Sequence, residues 1–341
     1  MTETVLVTGG SGFVASHLIL KLLSAGYTVR ATIRSLSKEK QVRNTLQNAG
    51  AEGLYRLSFY TADLTKDAGW EEAIRGCAYV HHVASPFPGQ APKSEDELII
   101  PAQEGTLRVL RAARDASVKR VVFTSSFAAI GYGDPSKQTP YTEENWSIVE
   151  GLPAYQKSKT LAERAACDFI EKEGGHLELT VLNPVGIFGP VLSDDISSSI
   201  DLVKKLVDGS VAKCPRIYFN AVDVRDLADL HICAMLDPAA NGQRFIASSD
   251  GQALTFLTLA QFISEGRPDK AKKVPKGELS NWLVRLAAVF SPAARQMVPV
   301  LGVMRQVDNS KAKTTLGWKP RSPRDTILDT MDSLFQYGIL S

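Results

Sequence analysis

Among 341 residues there are only four cysteines and five histidines. Cys77, Cys167, Cys214 and Cys233 lie far apart, with no Cys-x-x-Cys pair, which argues against a zinc site or a disulfide framework and fits reduced thiols. An excess of charge of one sign is missing too. A formal net charge of +2 leaves no electrostatic footprint for nucleic acid or an anionic membrane. Charged clusters such as Lys38–Lys40 are short and read as solvated faces. No apolar run approaches the roughly 20 residues that span a bilayer. The N-terminal MTETVLVTGG lacks the basic and then apolar regions of a secretory signal. A cytoplasmic protein is expected, with no nucleic-acid or membrane partner and no metal; monomer and homodimer both remain open.

What is present is an alternation. Thr4–Thr8 reads as a buried strand and Ser11–Ala25 as a helix with Val14, Leu18 and Leu22 on one face, closed by Gly26. Strands follow at Tyr27–Ile33, Leu57–Ala62 and Tyr79–Val83, with a short helix ending near Gly76. A helix over Leu98–Asp115, a strand over Val121–Ser125, a helix over Ala154–Lys172 and a strand over Leu177–Leu182 complete the regular part. Parallel strands need crossover helices, so this alternation predicts an α/β fold, a doubly wound parallel sheet of Rossmann type with a smaller C-terminal substrate lobe. The dinucleotide-binding domain is placed at 1–190, with 216–249 returning to it. Segments 191–215 and 250–341 are assigned to the lobe. Within the returning stretch, Ile217–Met235 reads as strand then helix.

The turn after the first strand runs Gly9-Gly10-Ser11-Gly12-Phe13-Val14-Ala15 and opens a helix, the context in which a glycine motif carries meaning. Gly9 permits a tight turn, and Gly12 lets the backbone approach a pyrophosphate held by the helix amides. A plain glycine turn would look the same. The decisive absence lies further on. Sites of this fold that take NAD carry an acidic residue about 20 residues downstream for the ribose 2′-hydroxyl. Between Glu3 and Glu39 there is none. The second strand ends instead in Arg34, followed by Lys38, and a guanidinium can grip a 2′-phosphate bidentately. NADP(H) is the expected cofactor.

Tyr155 and Lys159 stand four apart on a helix and share one face. A phenol with a free pKa of about 10 is a poor acid/base catalyst at neutral pH unless a neighbour such as the Lys159 ammonium lowers it. Such a spacing also occurs on solvated helix faces. Val121-Val122-Phe123-Thr124-Ser125-Ser126 adds to it a buried strand that delivers hydroxyls to the sheet's carboxyl edge, where a serine can polarise a carbonyl. His81 and His82 are neighbours on a strand and point to opposite faces, so both read as structural. His231, near Asp226 and Asp229, reads the same way. Trp282 and Trp318 read as packing of the lobe.

Together these stretches resemble the short-chain dehydrogenase/reductase superfamily in its extended form. TGGSGFVAS is similar to its glycine motif and Tyr155-Gln156-Lys157-Ser158-Lys159 to its Tyr-x-x-x-Lys signature. Asp308-Asn309-Ser310-Lys311 followed by Leu316-Gly317-Trp318-Lys319-Pro320 is similar to its C-terminal element. YTVRATIRS, ADLTKDAGWEEAIRGC, HHVASPF, VVFTSSFAAI and VDVRDLADLHI resemble the dihydroflavonol reductase, cinnamoyl-CoA reductase and fungal methylglyoxal/aldehyde reductase branch.

The resemblance implies a catalytic set of Ser126, Tyr155 and Lys159. It implies that Asp63 and Leu64 border the adenine, that Val83, Ala84 and Ser85 line the cofactor channel, and that Pro184 and Gly186 flank the nicotinamide. Two departures stand out. Ala15 replaces the third glycine, and Gly131 stands near where plant dihydroflavonol reductases carry an asparagine. Phe87, Tyr132, Leu152 and Pro153 are candidate walls of an apolar pocket. The reading is an NADPH-dependent carbonyl reductase of small or medium ketones and aldehydes. Its alternatives are a nucleotide-sugar epimerase or dehydratase with tightly held NAD, and a non-enzymatic NADP(H) sensor.

Overall fold

Residues 3–86, 94–134, 140–194 and 196–341 are described by a computed structural model. Six strands follow one another as β1 (Thr4–Val7), β2 (Thr28–Ile33), β3 (Leu57–Thr61), β4 (Tyr79–His82), β5 (Arg120–Thr124) and β6 (Glu178–Pro184). Shorter strands come next: β7 (Gly186–Phe188), β8 (Cys214–Pro215), β9 (Tyr218–Phe219), β10 (Ala221–Asp223), β11 (Arg244–Ala247), β12 (Leu254–Thr255) and β13 (Glu278–Leu279). The main sheet has the order β11-β6-β5-β4-β1-β2-β3, with every pairing parallel. The order reverses between β1 and β4, which opens a crevice at their carboxyl ends.

The helices are α1 (Phe13–Ser24), α2 (Glu39–Asn48), α3 (Trp70–Ile74), α4 (Asp96–Asp115), α5 (Ala154–Glu173) and α6 (Ser198–Asp208). They continue as α7 (Val224–Leu236), α8 (Phe256–Gly266), α9 (Asn281–Ala287), α10 (Pro292–Met297), α11 (Ser310–Leu316) and α12 (Pro323–Gln336). Side chains alternate across each strand, so both faces of the sheet are apolar. Val5 and Val7 join α1, α2, α7 and α11 in one core. Leu6 points the other way, into a core with α3, α4 and α5. A third core of Ile200, Leu259, Ile327 and Met331 holds α6, α8 and α12 together as the lobe. The lobe is stitched to the end of β7 by Gly189 N donating to Thr330 Oγ1 at 2.7 Å and Val191 N to Ser333 Oγ at 2.9 Å.

Three details depart from the sequence reading. The strand inside Ile217–Met235 does not enter the main sheet: β10 pairs with β7 in a separate ribbon, and β11 is the strand of 216–249 that completes the sheet. Trp318 packs on the dinucleotide side instead of the lobe, buried with Ala312 and Leu316 against α7, its Nε1 donating to Asp226 O at 2.7 Å. Trp282 packs on little, being 64% exposed. No helix among the described residues is long and apolar enough to cross a membrane.

Candidate active site

The crevice at the strand-order reversal is a cleft of about 880 Å³. Its floor begins with the turn after β1. Gly9 adopts φ +71°, a left-handed conformation that side chains rarely take, and a Cβ there would meet Ala84 at 3.1 Å. Gly10 lies so close to β2 that a Cβ would meet that of Ala31 at 2.7 Å. α1 opens at Gly12 with no side chain capping its first turn, so backbone amides of Phe13 and Val14 border the cleft free of a helix partner. Ala15 is fully buried at the position of the third glycine. A cradle of this shape, with uncapped amides, fits a pyrophosphate.

Arg34 and Lys38 are exposed at the rim beyond β2 and line the same cleft. Arg34 makes no hydrogen bond or ion pair among the described residues, which leaves its guanidinium available. Asp63 and Leu64 line the neighbouring wall after β3. The Thr65 amide and hydroxyl, at 2.9 and 2.8 Å, hold the Asp63 carboxyl below its usual pKa, with a smaller contribution from Arg34. Trp70 Nε1 fixes this turn by donating to Asp63 O at 3.2 Å and Lys66 O at 3.0 Å.

Val83, Ala84 and Ser85 follow β4 along the cleft. Thr8 positions them, its Oγ1 accepting from Val83 N at 3.0 Å and Ala84 N at 2.9 Å. The Thr8 hydroxyl sits 3.0 Å from His82 Nδ1, and burial holds the His82 pKa down to about 3, so the neutral ring accepts. His81 turns to the opposite face, 3.1 Å from His231 Nδ1, as neighbours on a strand must. None of the three histidines borders the cleft.

The hydroxyl groups meet on the far wall. Ser126 caps a short turn over Phe127–Ala129, its Oγ accepting from Ala128 N at 3.1 Å, which leaves the Oγ proton to be donated. Its side chain is hydrogen-bonded to Tyr155, and both line the cleft. Lys159 lies behind them, 92% buried, with Nζ donating to Ser85 Oγ at 2.9 Å and 5.9 Å from the Tyr155 ring centroid. Burial lowers the Lys159 pKa to about 8, against the pull of Glu163. The Tyr155 phenol behaves differently from the sequence reading. Burial pushes its pKa above the ordinary value, the Ser126 hydrogen bond opposes that, and the chain alone does not deliver the lowered pKa. Burial penalises the phenolate by more than the Ser126 hydrogen bond restores.

Pro184 and Gly186 border the cleft where β6 passes into β7. Every cofactor residue inferred from sequence therefore lines this one cavity except Lys159, which reaches it through Ser85. Tyr132 lines it as well, whereas Leu152 and Pro153, which immediately precede α5, do not. Phe87 lies outside the described residues. Sequence reasoning missed the remaining side, which is closed by Ser197, Ser199 and Arg305 of the lobe and by Tyr218 and Phe219 of β9 with Asn220 after it; β9 pairs with β12 of the lobe and not with the main sheet. No spacing signals them, because they arrive from three separate stretches.

Behind Ser126 lies a buried ionic network that was also unforeseen. Glu163 of α5 is fully buried and accepts from Ser125 Oγ, from Asn183 Nδ2 at 2.6 Å and from Arg244 Nε at 2.6 Å. Asn183 also donates to Ser126 O at 3.1 Å, tying the Ser126 loop to β6. Burial raises the Glu163 pKa, and Arg244 is the largest opposing influence.

Comparison with known proteins gives this cleft its lineage. The chain matches the model of the 3-beta hydroxysteroid dehydrogenase/isomerase family over residues 6–265. It is 37% identical over 248 residues to a cinnamoyl-CoA reductase of Medicago truncatula, covering 71% of this chain and 74% of that one. To tetraketide alpha-pyrone reductase 1 of Arabidopsis thaliana it is 34% identical over 344 residues, covering 99% and 97%. The crystal structure of yeast methylglyoxal/isovaleraldehyde reductase complexed with NADPH superposes with a TM-score of 0.82 at 28% identity, covering 99% of this chain and all of that one. With the fold, the glycine turn and the length of these matches in agreement, the chain belongs to the 3-beta hydroxysteroid dehydrogenase/isomerase family, within the extended short-chain dehydrogenases/reductases.

Proposed function

We propose that the chain is an NADPH-dependent carbonyl reductase that converts small or medium ketones and aldehydes to alcohols, with Tyr155 as the general acid. The observation that carries this reading is the hydrogen-bonded Ser126–Tyr155 pair on the wall of a cleft whose other end is an uncapped helix N-terminus. Bound NADPH supplies the hydride. Gly9, Gly12, Phe13 and Val14 would hold its pyrophosphate, Arg34 and Lys38 its 2′-phosphate, and Asp63 and Leu64 its adenine. Val83, Ala84 and Ser85 would line its channel, while Pro184 and Gly186 flank its nicotinamide and Lys159 holds the ribose hydroxyls. The site lies in a cytoplasmic enzyme whose lobe, formed mainly by 191–215 and 250–341, closes over the substrate.

In this mechanism the Ser126 hydroxyl donates to the substrate carbonyl and polarises it. As hydride reaches the carbon, the Tyr155 phenol passes its proton to the oxygen, and an alcohol results. A phenol whose pKa is raised by burial stays protonated through neutral pH, which suits the reductive direction. The phenolate left behind is steadied by the Lys159 ammonium. Lys159 is charged below about pH 8 and neutral above, so kcat for reduction is expected to fall as pH rises through about 8. A pH–rate profile flat to pH 10 would remove that role from Lys159.

Gly131 bears on the substrate. A side chain there would lie 2.1 Å from the Phe127 ring, so no amide can be placed at 131 without displacing Phe127. The cleft wall at this point is therefore the Phe127 ring, which offers no amide to a flavonoid hydroxyl and suits a general ketone or aldehyde better.

The test is a panel of ketones, aldehydes and diketones followed at the NADPH absorbance, in parallel with NADH. Arg34→Leu is expected to lower kcat/KM for NADPH by roughly 30-fold, the value of a charge-assisted hydrogen bond, and to leave NADH nearly unchanged. Equal wild-type rates with both cofactors refute the role of Arg34. Copurifying NAD would instead favour a nucleotide-sugar epimerase or dehydratase, and a silent panel a non-enzymatic sensor.

A further inference from the structure

We propose that the substrate itself carries a carboxylate, received by the guanidinium of Arg305 at the end of the cleft walled by the lobe. This rests on the carbonyl-reductase reading of the same site.

Arg305 is half-buried and lines the cleft. Its guanidinium carbon lies 4.3 Å from the centroid of the Tyr132 ring, and it makes no hydrogen bond or ion pair among the described residues. Other partly buried arginines are partnered, Arg225 with Asp223 and Asp329 and Arg244 with Glu163 as ion pairs, Arg30 and Arg56 through backbone carbonyls. A cation drawn partly out of water without a counter-charge costs free energy that only an arriving anion returns in full. A guanidinium fork also matches the two oxygens of a carboxylate.

Its surroundings keep the position open for that anion. Beyond Asp63, which sits at the β3 end, no aspartate or glutamate among the described residues lines the cleft. The backbone under Arg305 is held from several directions. Asn220 Nδ2 donates to Arg305 O at 2.7 Å, Tyr141 N donates to Gln306 O at 2.9 Å, and the Gln306 side chain donates to Gly251 O at 2.8 Å. A guanidinium on so fixed a base needs little ordering when it binds, which is the condition for strong recognition.

The place of Arg305 also sets the shape of the substrate. The ring of Tyr132 lines the same cleft as Ser126 and Tyr155 and carries Arg305 above it at 4.3 Å, so the guanidinium is seated over a wall residue and not over the catalytic pair. The carboxylate is therefore separated from the reacting carbonyl by intervening carbon, as in an oxo-acid whose two groups are not adjacent.

The experiment follows NADPH oxidation with oxo-carboxylates of increasing chain length and with their methyl esters, for the wild type, Arg305→Met and Arg305→Lys. The wild type should prefer acid over ester. Arg305→Met should lower kcat/KM for the acids by roughly 50-fold, mainly through KM, while the esters stay within about threefold and so report intact folding. Arg305→Lys should recover part of the loss, keeping the charge without the fork. Equal wild-type rates for acid and ester, or equal loss of both in Arg305→Met, overturn the proposal and leave carbonyl reduction standing. If neither acids, esters nor simple aldehydes oxidise NADPH, the carbonyl-reductase reading fails first and this inference with it.

Discussion

Tyr155→Phe is expected to lower kcat for carbonyl reduction by about 10³-fold while the Kd for NADPH changes by no more than about threefold, because general-acid catalysis contributes on this order. The substitution removes one oxygen from a buried ring and leaves its packing. Ser126 keeps its bond from Ala128 N, and Lys159 keeps its bond to Ser85, so neither the turn nor the cofactor channel loses its support. What disappears is the proton that neutralises the nascent alkoxide. NADPH binding by fluorescence and single-turnover hydride transfer separate the two effects. Undiminished turnover would end the role assigned to Tyr155; loss of NADPH binding to the same degree as turnover would make it a binding residue.

Arg244→Met is expected to destabilise the fold by about 3–5 kcal/mol, the cost of leaving a buried charge without its partner. Arg244 crosses from the edge strand β11 to Glu163, with Nη1 donating to Asn145 O at 3.0 Å and the guanidinium carbon 3.8 Å above the Trp146 ring. Without it the Glu163 carboxylate keeps Ser125 and Asn183 as hydrogen-bond partners but loses its ion-pair cation. Glu163 already has a raised pKa, and the variant raises it further. A carboxyl with a raised folded pKa is least costly while protonated, so the deficit should be smaller at about pH 5 than at about pH 8. Urea denaturation at both values reads this directly. The double variant Arg244→Met/Glu163→Gln should regain part of the loss, and a deficit that is independent of pH would show that packing on Trp146, not charge, carries the effect.

Much of the lining of the cleft was legible from the chain alone. A glycine turn is a local object, since strand, turn and helix are consecutive, and the residues that must be small are named by their spacing. The same holds for Tyr155 and Lys159, one helical turn apart, and for the missing acid after Glu3. The strand missed within 216–249 shows where such reading stops. β10 and β11 are both short, each with one charged residue beside apolar ones, and only the available edge of β6 decides which one joins the sheet. Trp318 went astray for a similar reason. An apolar residue declares that it will be buried, not against which of three cores.

The cysteines, the balanced charge and the lack of long apolar runs bounded the protein from outside, and the lack of acid between Glu3 and Glu39 named its cofactor from inside. Those features depend on composition and on neighbours in sequence. Three others were decided by tertiary structure alone: the raised pKa of Tyr155, the Glu163–Arg244 pair behind Ser126, and Arg305 facing the cleft without a counter-charge. Each arises where segments distant in sequence exclude water from a polar group. Burial of that kind depends on what the fold brings alongside, and no single stretch of chain encodes it.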